Sequence, residues 1–148
     1  MNLILIALVV DFGLQIVFGG ISILIKTEKF YDFIGAITHI SCAFLGVFYE
    51  YEATKEYSFL YRLIQAVCVA VWAAKLGAFL LYRVIKAGGD SRFEAAKKSP
   101  VRLFVYWMLQ GVWVFLNILP SLFMWISTKA EPEHWYICVV SFEHKKIF

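Results

Sequence analysis

Four stretches of this sequence stay apolar for about as long as a helix needs to cross a lipid bilayer: Leu3 to Ile25, Phe30 to Tyr49, Leu63 to Tyr82 and Leu103 to Ile126. At a rise of about 1.5 Å per residue, some ~20 apolar residues span the ~30 Å hydrocarbon core. Within lipid every backbone N–H and C=O must be satisfied inside the segment, so windows of this length can only be helices. Of the 148 residues, 61% are hydrophobic and 17% charged, more apolar surface than a soluble domain of this length can bury. The expected fold is therefore all-α. It is a single membrane domain over residues 1–148, a multi-pass transmembrane bundle of about four spanning helices at 3–25, 30–49, 63–82 and 103–126. A basic loop at 83–102 and a C-terminal tail at 127–148 complete it. No Lys or Arg precedes the first window, Asp11 interrupts it, and no small-x-small cleavage site follows, so it is expected to remain as a span and not to be a signal peptide.

The formal charge of +3 points away from nucleic acid once the charges are placed. Arg83, Lys86, Arg92, Lys97, Lys98 and Arg102 gather between the third and fourth windows, against only Asp90 and Glu94. The positive-inside rule makes this loop cytoplasmic, together with Lys26–Asp32, and puts the N-terminus, the Glu50–Ser58 loop and the tail on the other side. The protein is expected in the endoplasmic reticulum of a eukaryote or the inner membrane of a bacterium, with membrane lipids as its surroundings and no nucleic-acid partner. Gly88-Gly89 should stop the third helix, Ser91-Arg92-Phe93-Glu94 fits a capping box, and Ser99-Pro100 supplies an N-cap and first-turn proline for the fourth. The loop either sets topology alone or binds an anionic headgroup or a cofactor phosphate. Cys42, Cys68 and Cys138 have no metal-type spacing and read as reduced thiols.

Helical periodicity gives each span a polar or small face. Asp11, Gln15 and Ser22 share one in the first. Gly35, Thr38, His39, Cys42 and Gly46 share one in the second, Gln65, Cys68, Trp72, Lys75 and Tyr82 in the third, and Gln110 and Asn117 in the fourth. A charge facing lipid at mid-depth costs at least ~2.5 kcal/mol, so Asp11 and Lys75 are both expected to face the interior and to pair. Their depths differ by roughly 8 Å at the helical rise, which the lysine stem largely covers. Asp11, Gln15, Lys75, Gln110 and Asn117 are thus candidates to line a polar cavity for a lipid-like substrate. The same residues equally fit interhelical hydrogen bonding with close backbone approach. Pro120 should kink the fourth helix. HExxH, CxxC, GxSxG and a Gly-rich phosphate loop are missing from the sequence. His39, His134 and His144 lie too far apart to share a metal, so no metal site is expected, and His39 reads as a packing residue. The stretch HWYICVVSF is too short to span and either lies at the interface or adds a short strand-like piece.

Three blocks carry a resemblance. KTEKFYDFIG (Lys26 to Gly35), WAAKLGAFLLYRVIKAGGDSRF (Trp72 to Phe93) and YWMLQGVWVFLNILP (Tyr106 to Pro120) resemble, in this order, the N-terminal half of steroid 5α-reductase-like multi-pass membrane proteins. That family shows T-[DE]-K-x-x-D after its first span and W-x-x-R-L-G-x-[FY]-L-x-x-R-x-x-x-x-G-x-D-x-R-[FY] across its third. The likeness covers roughly residues 3 to 121, and within it Asp32, Asp90 and Arg92 fall on the family's loop motif. Lys75 stands where the pattern has arginine, keeping the charge but losing the planar fork.

The resemblance implies NADPH-dependent reduction of a conjugated carbon–carbon double bond in a lipid-like or steroid-like substrate. Its H-P-N-Y-x-G-E-type block, associated with NADPH, has no counterpart here. The expectation is a truncated or partial member of the family, inactive alone, with no cofactor-binding residue of its own and no NADPH bound by this chain by itself. The alternative is a non-enzymatic four-helix membrane protein that binds a hydrophobic lipid, partner helices or further copies of itself. No catalytic residue follows from either.

Overall fold

The structure is a computed structural model, and it describes residues 3–48 and 56–126. Four long helices form it: α1 (Leu3–Ile25), α2 (Tyr31–Phe48), α3 (Glu56–Ala87) and α4 (Pro100–Ile126), with a short 3-10 helix, Ser91–Phe93, before α4. All four are long and apolar enough to cross a membrane. The expected all-α, four-span bundle is the fold. Helix α3 is longer than its apolar window at both ends. Its 32 residues reach about 48 Å, more than the hydrocarbon core, so Arg83 and Lys86 belong to the helix and not to the loop. The tail, including HWYICVVSF, His134, His144 and Cys138, lies outside the described residues.

Helix α2 is the centre and packs against the other three, while α1 also packs on α4 and α3 rests chiefly on α2. Close approach comes from glycines seated under large side chains. The ring of the buried Trp107 lies over Gly19, and that of the buried Trp125 over Gly46. At one end Leu3, Ala43, Val47, Ala66, Leu122 and Trp125 form an apolar cluster. At the other, Ile34, Phe93, Ala96, Leu103 and Trp107 form a second. Phe93 draws the basic loop into that second cluster, its ring 4.8 Å from that of Tyr31 and 5.1 Å from that of Tyr106.

The loop obeys most of its signals. Gly88 ends α3 in the left-handed region at φ 78°, where a side chain would be strained. Ser99 Oγ accepts from the Arg102 N–H at the start of α4. The cap of the 3-10 helix is Asp90, not Ser91: its carboxylate accepts the Arg92 N–H at 3.0 Å. A carboxylate one residue earlier outcompetes the serine because Arg92 also holds it from the side. Pro120 lies within α4, which continues for more than a turn beyond it.

Candidate functional site

The α1 and α2 stripes are buried as expected. Asp11 and Gln15 are fully buried, and the Gln15 amide lies 3.5 Å from Asp11 Oδ1 and 3.3 Å from Thr38 Oγ1. The Thr38 hydroxyl in turn donates to the Ile34 carbonyl at 2.8 Å. This is a polar seam between α1 and α2, and it contains no cation.

Lys75 is not there. It lies exposed on the face of α3 turned away from α2, with no hydrogen bond or ion pair among the described residues. The expected Asp11–Lys75 pair is therefore absent. The face of α3 that meets α2 is built on small and apolar residues, with Ala66, Ala73, Gly77 and Val84 buried along it and Arg62 buried at its start. Tight helix packing in a membrane selects small residues, and on α3 these occupy a different stripe from the polar ones. Gln65 reaches α4, donating to Ser121 Oγ at 2.8 Å, whereas Cys68, Lys75 and Tyr82 face outward. Asn117 is also exposed, at the edge of α4. Its amide turns back to the Trp113 carbonyl at 2.7 Å, which satisfies the donor without a partner helix.

Gln110 does face the interior. Its Nε2 donates to the Tyr31 carbonyl at 2.9 Å, and the Tyr31 hydroxyl donates to the Tyr106 carbonyl at 2.8 Å, so two bonds join the start of α2 to α4. Gly35 permits this, since a methyl there would sit 2.1 Å from Gln110 Nε2.

Above Gln110 lies a cavity of about 290 Å³. Its floor is α2, through Gly35, Ala36 and His39, and its walls are α3, through Trp72, Leu76 and Leu80, and α4, through Leu109, Gln110 and Trp113. Trp72, Leu109 and Trp113 are each about half exposed, which makes the space a groove open sideways toward lipid. His39 is clamped between the two tryptophans, edge to face, at 5.4 Å from Trp72 and 5.1 Å from Trp113. Its Nδ1 donates to the Gly35 carbonyl at 2.9 Å, because a carbonyl can only accept. The other nitrogen, Nε2, is then an acceptor in the neutral ring, and it is buried without a hydrogen-bond partner. Gln110 Oε1 is a second buried acceptor in the same state.

One end of the groove is framed by Asp32 and Arg92. The three loop-motif residues meet here. Arg92 Nη2 donates to Asp32 at 3.0 Å, and Arg92 Nε donates to both oxygens of Asp90, at 3.0 and 2.9 Å. Glu28, buried, accepts the Asp90 N–H at 3.0 Å and Lys97 at 3.3 Å, and Lys97 also pairs with Glu94 at 2.9 Å. Arg83 stands 3.6 Å from Asp90. Arg92 holds the Asp90 carboxyl below the usual carboxylate range. Burial would push Glu28 up, but its bonds from the Asp90 amide and Lys97 outweigh that and hold it low. Bonds to Glu94 and Glu28 raise Lys97. Much of the basic loop is thus neutralised from within.

Arg62, just outside the third apolar window, is a buried cation that sequence reasoning missed; it donates to the Trp125 carbonyl at 2.9 Å. Among the described residues no three His, Cys, Asp or Glu side chains gather as metal ligands. No curated protein and no solved structure matches the chain. Residues 18–142, which take in α2, α3, the folded basic loop and α4, match the family described as protein of unknown function (DUF1295), and the chain belongs to that family.

Proposed function

We propose that this chain is a steroid 5α-reductase-like membrane domain whose groove between α3 and α4 takes an amphipathic, steroid-like or lipid-like molecule from the bilayer. One observation carries the reading. Two buried acceptors without partners, His39 Nε2 and Gln110 Oε1, line an otherwise aromatic and aliphatic cavity. A buried polar atom without a partner is costly, and a ligand hydroxyl is the group that would relieve it. The flanking tryptophans offer flat apolar walls to the body of such a molecule. A conjugated ketone, the substrate type that the resemblance implies, would need a donor instead. Protonated His39 would supply one, and so would the second N–H of the Gln110 amide, whose first is given to the Tyr31 carbonyl.

We read no seat for NADPH in the groove itself. A pyrophosphate needs uncommitted cations or a cradle of backbone N–H groups. Arg92, Arg83 and Lys97, the cations nearest the groove mouth, already serve Asp32, Asp90, Glu28 and Glu94. We therefore assign substrate binding to the groove residues His39, Gln110, Trp72 and Trp113 and derive no hydride-transfer step through them.

The test is binding of a 3-hydroxysteroid and its 3-deoxy analogue to purified protein in nanodiscs, followed by tryptophan fluorescence. The hydroxysteroid should bind several-fold more tightly, as expected for one relieved hydrogen-bond acceptor. His39→Phe should remove most of that preference while leaving the deoxy compound's affinity in place. Equal binding of the two steroids by the unaltered protein would overturn the reading.

A further inference from the structure

The outward lysine asks for a partner. The apolar stretch of α3 ends at Tyr82, and Lys75 lies seven residues before it, about 10 Å deeper along the axis. Val71, Phe79 and Tyr82, each more than half exposed, surround it with apolar surface. Nothing described covers this face. A lysine so placed is costly in contact with lipid tails, and intramembrane cations are normally turned toward protein. Beside it, Ala74 and Ala78, four residues apart and both exposed, form a small-xxx-small pair of the kind that lets another helix approach closely.

We propose that this back face of α3 docks a transmembrane helix from outside the described residues, one that carries an aspartate or glutamate at mid-depth. The charge on Lys75 selects the carboxylate, and the alanine pair supplies the close contact that brings it within reach. A second copy of this chain is a poor occupant. Among the described residues its one carboxylate at membrane depth, Asp11, is fully buried between helices. Glu28, Asp32, Asp90 and Glu94 cluster at the loop end, and Glu56 begins α3 at the other. A symmetric contact through this face would set Lys75 against Lys75.

The experiment uses the full chain, labelled with a fluorescence donor and reconstituted in phosphatidylcholine vesicles. Synthetic Leu/Ala transmembrane peptides bearing an acceptor and a central Glu, Gln or Leu are the probes. The Glu peptide should associate roughly tenfold more strongly than the Leu peptide, with Gln between them. Lys75→Met and Ala78→Phe should each abolish the preference, and Lys75→Arg should keep it. Both positions face away from α2, so the unfolding midpoint of each variant should match that of the parent. Equal association of the Glu and Leu peptides with the unaltered chain would refute the proposal and leave Lys75 reaching for lipid headgroups. Self-association of the chain that depends on Lys75 would refute it too, by making a second copy the occupant.

Discussion

Replacing Gly77 with alanine tests the α2–α3 contact that forms the floor and one wall of the groove. The added methyl would lie 2.5 Å from Ala36 Cβ. Non-bonded carbons sit at about 3.5–4.0 Å, so the two helices must separate by about 1 Å, and neither methyl can escape by changing rotamer. Overpacking of this kind costs about 1–3 kcal/mol. Alanine returns roughly 1 kcal/mol of helix propensity over glycine, leaving a net loss on the order of 1 kcal/mol. Gly20→Ala is the matched control. A methyl there meets nothing within 4 Å, so the same chemical change should stabilise by up to about 1 kcal/mol. The two variants should therefore move the midpoint of a denaturing-detergent titration, followed by tryptophan fluorescence, in opposite directions. They should end up about 2 kcal/mol apart. If Gly77→Ala proves as stable as Gly20→Ala, α2 and α3 do not approach as described, and the groove loses its geometry.

The loop cluster should respond to pH at both ends of the scale. Glu28 and Asp90 are held below their ordinary values of 4.5 and 3.8, so the stability they add is present above those values and is lost as pH falls through the lower folded ones. Lys97, raised above 10.5, adds stability that is present below that value and is lost as pH rises beyond it. Protection of the Asp90 amide, followed by hydrogen exchange corrected for intrinsic rate, should fall in acid, well before global unfolding; protection that persists unchanged until the whole protein unfolds would contradict the cluster. Asp11→Asn and Lys75→Met should have additive effects on stability within about 0.5 kcal/mol, because one group is sealed between helices and the other faces outward. A coupling well beyond that in a double-mutant cycle would mean that the two meet after all.

The faces of α1 and α2 were legible in the sequence because in both helices the small and polar residues coincide on one stripe, and that stripe is where backbones approach. In α3 the two properties part. Ala66, Ala73 and Gly77 make the contact, while Cys68, Lys75 and Tyr82 lie behind. Reading polarity as the inward signal therefore turned the helix around. Spacing of small residues was the better guide, and it was present in the sequence. Arg62 is not legible as an intramembrane charge because it lies just outside the apolar window, whereas the helix begins six residues earlier, at Glu56. The loop motif announced itself through Asp32, Asp90 and Arg92, yet their meeting depends on Phe93 anchoring the loop among Tyr31, Tyr106 and Trp107, a tertiary event with no local signature. The groove was not legible either. It exists because α3 and α4 both flank His39 of α2 and leave a space between them, and no single helix records that.

The most direct test of the account is where a bilayer-dissolved ligand touches the protein. A 3-hydroxysteroid bearing a diazirine, photolysed in nanodiscs with the intact chain, should label α3 and α4 at Trp72, Leu76, Leu109 or Trp113, and excess unlabelled hydroxysteroid should suppress that labelling. Val9 and Val17 of α1 are more than half exposed to the same lipid, so they report random encounter. Labelling spread evenly over α1, α3 and α4, and indifferent to competitor, would contradict a binding groove between α3 and α4.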